Sequence, residues 1–488
     1  MRATSVLLVV AFSFGLTSCG GGGGGGGGIV PSAPRAPAPP ASADWNTFAD
    51  GLSREGYNPS ERTLGRNNAG SLHALWTRDL GGAIDAQSLF AANVTVGGSS
   101  HDVLYVGTEG GTFYALDAST GATLWQAALG SVAGICEADL PGGVYGITGT
   151  ATFDRTTNRV YVADGLDRLH AFDMATGQEA AGWPVAITAL TSQEHVYSAL
   201  AYNPANHLLY AQTAGYCDIT PYQGRLIAVN TQSASVVATF LPGGTENGGG
   251  LWGMGGPSID ATTGDLFIGT GNTIGATAHD AYAEQVVRLT STLSVEAANY
   301  PGLVNGTRDY DFGSTPMLYQ MPACAPQFTA QNKDGSLYVY GQGTISSGPM
   351  QNLAMADDSE QGQFIGVAAF SPVTNEVYVG VPAGYGGFSN GLVALRERAG
   401  CSLALAWQST EGSVPPEGDN VAATVANGVV YSVNGIGDAV FANDAQTGAA
   451  LWNSAAAIGG PVFTPPTVAN GRVYVGSWDH SLYAFAAP

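Results

Sequence analysis

Few side chains in this sequence are equipped to do chemistry. Lys333 is the only lysine among 16 basic residues. Asp309 and Asp311 flank a tyrosine in Arg308-Asp309-Tyr310-Asp311. A carboxylate can take a proton from a hydroxyl group or offer hard oxygens to a cation. Trp252 and Asn272 lie near the two ends of a glycine-rich stretch, LWGMGGPSIDATTGDLFIGTGN (251–272). They could present a flat indole and an amide oxygen. The same residue types also fill cores and cap turns. Gly387-Phe388-Ser389-Asn390-Gly391 has the G-x-S-x-G spacing of a nucleophile elbow, but it lies between two expected strands and lacks the helix that motif needs. No C-x-x-C-H, C-x-x-C or H-E-x-x-H occurs, which argues against attached haem and zinc. The seven histidines are scattered and read as structural or exposed.

Strands and turns must position these residues. The chain has 488 residues, of which 70 are glycine and 11% are charged; apolar residues reach 45%. Such a composition favours strands joined by tight turns and supplies ample core. The formal net charge of -22 excludes nucleic acid and anionic membrane surfaces as partners bound through charge.

One phrase recurs. It reads VLYVGTEGGTFYALDASTGATLW at 103–125, RVYVADGLDRLHAFDMATGQEAAGW at 159–183, VVYSVNGIGDAVFANDAQTGAALW at 429–452, and RVYVGSWDHSLYAFAAP from 472 to the end. Each copy is strand, Gly/Asp turn, strand, Asp-x-x-Thr-Gly turn, then a strand carrying Trp. Weaker copies start near Leu208, Asp265, Pro326 and Glu376, which makes eight units. Four-stranded units at this period predict an all-β fold, an eight-bladed β-propeller of antiparallel blades. The last copy stops before its Trp strand, and the missing piece stands at the front as LHALWTRDLGG (72–82). The N-terminal strand is therefore expected to complete the last blade and close the ring, hiding its edges.

Ahead of the repeats lie a lone Arg2 and an apolar run, 6–16, too short to span a bilayer. The run ends in Leu16-Thr17-Ser18-Cys19-Gly20, which resembles the lipobox of bacterial lipoproteins. That resemblance implies a signal peptide (1–18), lipidation of Cys19 and, with Gly20 in place of Asp, anchoring at the outer membrane, facing the periplasm or the cell surface. A Gly- and Pro-rich linker (19–43) follows, then a propeller domain (44–488). Such a linker is expected to be disordered and to span roughly 25–30 Å.

Asp117-Thr120-Gly121-Trp125 and Asp444-Thr447-Gly448-Trp452 carry the repeat signature of the pyrroloquinoline quinone (PQQ) quinoproteins. The chain resembles the quinoprotein alcohol dehydrogenases and their non-catalytic relatives over about 44–488, including the lead-in DWNTFADGLSREGYNPSERTL (44–64). The resemblance implies an axial site with PQQ and Ca²⁺. Trp252 would stack on the cofactor, Asn272 and Asp309 would ligate the metal, Asp309 would act as general base, and Lys333, in Gln331-Asn332-Lys333-Asp334-Gly335, would be the cation at the quinone. The family pattern is also broken. Cys136 stands alone where the family has adjacent cysteines, GYCDITPYQGR (215–225) offers Asp218 where a metal-binding Glu belongs, and Arg308 replaces a Trp.

Besides Cys19 there are Cys136, Cys217, Cys324 and Cys401, an even number in an exported chain. Placement in neighbouring blades pairs Cys136 with Cys217 and Cys324 with Cys401. Three functions stay open at this level. One is a lipid-anchored PQQ/Ca²⁺-dependent alcohol dehydrogenase acting on a small-molecule ligand. Another is a monomeric scaffold for an envelope protein partner. The third is a polymer-binding surface protein.

Overall fold

The computed structural model describes residues 43–488 except 137–140, 275–280, 303–308, 358–363, 412–422, 434 and 436. The expectations on the leader, on Cys19 and its linker, and on Arg308 fall outside the described residues.

The chain forms an eight-bladed β-propeller. Blade 1 comprises Leu89–Val96, Ser99–Gly107, Thr112–Asp117 and Thr123–Ala128, paired in that order. Blades 2 to 7 open with innermost strands at Thr152–Asp154, Ala201–Asn203, Ser258–Ile259, Met317–Tyr319, Ala369–Ser371 and Thr424–Ala426. Blade 8 is built from Thr467–Ala469, Arg472–Gly476 and Ser481–Ala486, and its outer strand is His73–Asp79 from the front of the chain. His73 pairs with Ala486 and Asp79 with Ser481, as the truncated last repeat requires.

The repeat phrase is also the lock between blades. In blade 1, Oδ1 of Asp117 accepts the backbone N–H groups of Ser119 and Thr120. Gly121 then takes φ +70°, and a Cβ there would lie 2.9 Å from the ring of Trp76 on the neighbouring blade. Trp76 donates its indole N–H to the carbonyl of Ala118 at 3.2 Å. Trp125 does the same to Met174 of blade 2 at 3.0 Å, and Trp407 to Ala445 of blade 7 at 3.2 Å. Asp, Gly and Trp therefore recur because each turn must tuck under its neighbour's indole.

The lead-in is the other closing element. Innermost strands leave one edge facing the axis, with backbone groups that need partners. Residues 45–58 supply them blade by blade. Trp45 and Phe90 of blade 1 exchange backbone bonds, and Phe153, Ile259, Leu318, Phe370 and Val425 donate N–H groups to the carbonyls of Asn46, Leu52, Ser53, Glu55 and Gly56. In blade 3 the carbonyl of Leu200 accepts from Thr47 and Arg54, and in blade 8 that of Val468 accepts from Asn58. One short segment thus bonds to all eight blades in order and fills the axis. Arg54 is fully buried within it and also donates to Thr47 Oγ1 and the carbonyl of Phe48.

Candidate functional site

The plug occupies the inner strand edges. The mouth formed by the connections between blades and by each blade's central hairpin holds a cavity of about 340 Å³. Its walls come from the connection entering blade 3 (Tyr197), the blade 3 hairpin (Tyr216, Cys217, Asp218, Tyr222), the connection entering blade 4 (Gly250, Trp252), the connection entering blade 5 (Asp309, Asp311) and the blade 5 hairpin (Lys333). Trp252, Asp309 and Lys333, far apart in sequence, thus face one space.

Lys333 holds the group together. Its Nζ lies 2.6 Å from Oδ2 of Asp309, 3.5 Å from Oδ2 of Asp311 and 4.7 Å from the centre of the Trp252 ring. Trp252 donates its indole N–H to Oδ2 of Asp311 at 2.8 Å. Oδ1 of Asp311 accepts the N–H of Asn272 at 2.6 Å. Asn272 contributes through its backbone and is not among the cavity-lining residues. Burial, opposed by Lys333 and assisted by Asp309, pushes Asp311 up to about 8. Burial works against the charge on Lys333, but Asp311 and Asp309 outweigh it and hold the ammonium pKa above its usual value. Oδ1 of Asp309 is buried, with no hydrogen-bond partner among the described residues. Tyr222 donates to Oδ1 of Asp218 at 2.5 Å.

Glycine makes room for this packing. A Cβ at Gly313 would lie 2.1 Å from Trp252 ring atom Cη2. Gly313→Ala is expected to displace the indole from Asp311 and to destabilise the fold by about 1–3 kcal/mol through overpacking. Denaturant unfolding together with indole fluorescence measures both effects; an unchanged emission spectrum would contradict the expectation.

The cavity wall is backed by a buried polar cluster. Tyr216 stacks on Tyr197 at 5.2 Å and meets Tyr145 edge-on at 5.4 Å. Tyr145 in turn packs 4.0 Å from His195, whose Nδ1 is 3.7 Å from Oδ2 of Asp167. Burial pushes Asp167 up to about 9, its backbone bond from Val196 opposing and Asp164 and Glu194 assisting, and pushes His195 down to about 4. Burial also raises Glu284, near Asp309, to about 7. A carboxyl with a raised folded pKa contributes stability that is complete below its unfolded value, about 4, and is lost as pH climbs through the folded value. The thermal midpoint is therefore expected to fall between pH 5 and 9, and Asp167→Asn to flatten that fall. His195 has the opposite sign, and acts only below about pH 6.5. Calorimetric scans at fixed ionic strength test this; equal slopes in both proteins would refute it.

Both expected disulfides are present, Cys136–Cys217 and Cys324–Cys401. The first ties the connection after blade 1 to the blade 3 hairpin, and Cys217 lines the cavity. Cys401 lines a second, larger cavity of about 630 Å³, beside turns of blades 4, 5 and 6, which holds none of the sequence-predicted ligand-site residues. Gly387–Gly391 lies between two strands of blade 6, with no helix after it. Sequence reasoning did not single out Tyr197, Tyr216, Tyr222 or Glu284. Tyrosine is too frequent here, at 21 residues, to stand out by type.

A family model described as outer membrane protein assembly factor BamB matches residues 66–281 and 389–487. No curated protein matches the chain. Among solved structures, a europium-containing methanol dehydrogenase aligns at a TM-score of 0.67 and 15% identity, covering 91% of this chain and 98% of that one. Quinohemoprotein alcohol dehydrogenase ADHIIG from Pseudomonas putida HK5 aligns at 0.65 and 14% identity, covering 91% and 80%. BamB from Moraxella catarrhalis aligns at 0.56 and 14% identity, covering 85% and 99%. At these identities the likeness extends to the fold alone.

Proposed function

The chain belongs to the family described as outer membrane protein assembly factor BamB, and from that premise we propose that it is an exported envelope propeller, anchored to the outer membrane through Cys19, whose axial cavity binds PQQ with Ca²⁺ and oxidises an alcohol. The observation that carries this reading is the convergence of Trp252, Asp309, Asp311 and Lys333 on one cavity. Among the described residues no helix is long and apolar enough to cross a membrane.

The residues lining the cavity offer the donor types the cofactor pair takes. Asp218, Asp309 and Asp311 put hard oxygen donors on the wall of one space, the ligand type that calcium prefers. Trp252 supplies the flat apolar surface and Lys333 the cation for a polyanionic quinone. Asn272 touches the site through its backbone N–H on Asp311, and its side chain, expected as a metal ligand, is not among the groups lining the cavity. When bound, the quinone supplies a two-electron acceptor. Lys333 would orient Asp309 through Oδ2, and the Asp309 carboxylate would take the hydroxyl proton of the alcohol. Tyr197, Tyr216 and Tyr222 narrow the space around that proton transfer.

The family description favours a second reading, a monomeric scaffold whose blade loops meet an envelope protein. Calorimetry of the full-length chain in detergent with PQQ, with and without Ca²⁺, separates the two. Stoichiometric, calcium-dependent binding is expected. No binding at high micromolar PQQ would leave the scaffold.

A further inference from the structure

Tyr310 separates the two cavity carboxylates, and buried side chains from two blades hold both of its backbone groups. Its N–H donates to Oε1 of Glu284 at 3.2 Å. Its carbonyl accepts from Nδ2 of Asn332 at 2.7 Å. Glu284 belongs to the blade 4 hairpin and is 3% exposed; Asn332 opens the blade 5 hairpin and is fully buried. Neither lines the cavity.

A turn needs no ionisable side chain to satisfy one peptide N–H, since backbone carbonyls do this throughout the propeller. Burying a carboxyl is costly. Glu284 also takes φ +51°, a left-handed conformation that an L residue adopts at further cost. Such costs persist where the surroundings over-determine the geometry. Asp311 is already restrained by Trp252, the Asn272 N–H and Lys333. The carboxylate of Asp309 pairs with Lys333 and is hydrogen-bonded with Asp311. Its direction also depends on the backbone that joins it to Tyr310.

We propose that Glu284 and Asn332 are positioning residues, a two-sided clamp on the peptides either side of Tyr310 that sets where Asp309 stands relative to Lys333 and the cavity. Its bearing on alcohol oxidation rests on the function proposed above; its bearing on geometry does not.

The test uses the full-length chain with PQQ, Ca²⁺, a primary alcohol and an artificial electron acceptor. Glu284→Ala is expected to lower kcat about 10- to 100-fold while KM and PQQ affinity stay near wild type. Glu284→Gln keeps an acceptor oxygen for Tyr310 and should recover most of kcat. Asn332→Ala should resemble Glu284→Ala. Wild-type kcat in Glu284→Ala, or no recovery in Glu284→Gln, would overturn the clamp. If the wild-type chain neither binds PQQ nor turns over alcohol, the functional reading falls, and a crystal structure of Glu284→Ala decides the clamp alone. A 309–311 turn shifted away from Lys333 supports it, and a superposable turn overturns it.

Discussion

Lys333→Ala is expected to weaken PQQ binding by about 100-fold or more while leaving the propeller folded. Truncating one member of a desolvated charge pair costs about 2–5 kcal/mol, much of it from the group left behind. Here the buried Asp311 is left behind at 3.5 Å from the lost ammonium, beside the partly exposed Asp309 at 2.6 Å. A polyanionic ligand would then meet Asp218, Asp309 and Asp311 with no cation among the described residues lining the cavity. Folding survives because burial already favours the protonated form of Asp311, raised to about 8, and losing the ammonium favours it further, so no buried like-charge pair forms. Lys333→Arg keeps the charge, but a planar guanidinium does not reproduce the compact ammonium over Trp252, so intermediate affinity is expected. Calorimetry measures all three proteins. Wild-type affinity in Lys333→Ala would remove the lysine from the site.

Arg54→Ala should be among the most destabilising single changes in the protein, at about 3–5 kcal/mol. The guanidinium is fully buried, and burial lowers its pKa to about 9. It reaches Thr47 Oγ1 at 2.7 Å, the Phe48 carbonyl at 3.0 Å and the Leu200 carbonyl at 3.2 Å. Truncation leaves those acceptors without partners and opens a void inside the axial plug. Because the plug bonds to every blade, loosening it exposes inner strand edges around the whole ring. Arg54→Met fills much of the space without the donors and should cost less. Thermal and denaturant unfolding measure both, and a midpoint within error of wild type in Arg54→Ala would show that the plug is dispensable.

Much of this fold could be read along the chain. The repeat phrase located all eight blades, and even the degraded copies at Leu208, Asp265, Pro326 and Glu376 mark second strands of their blades. Asp-x-x-Thr-Gly followed by Trp is legible because each residue answers a local demand: a side-chain cap, a positive φ, a ring to cover the glycine. The incomplete last repeat announced that His73–Asp79 would close blade 8. Even cysteine numbers and blade adjacency named both disulfides.

The site was legible only in part. Trp252, Asp309 and Lys333 were named and do meet at the cavity. Asn272 was named for its side chain, yet it meets Asp311 through its backbone N–H. Glu284 sits in an otherwise ordinary strand approach and gave no signal. Tyr216 and Asp218 belong to a hairpin that departs from the repeat, so no periodicity points at them. The lead-in 44–64 matched a family pattern without revealing that it visits eight blades in turn. The sequence by itself therefore determined the repeating architecture and its closure, because strand period, turn chemistry and the glycine–indole lock act over a few residues or between adjacent repeats. Only the tertiary structure decided which side chains share the axis, how the Tyr310 peptide is held and how the plug is bonded. Those contacts join residues up to 410 positions apart, as between Asn58 and Val468, and exist only once the ring has closed and brought every innermost strand to one centre.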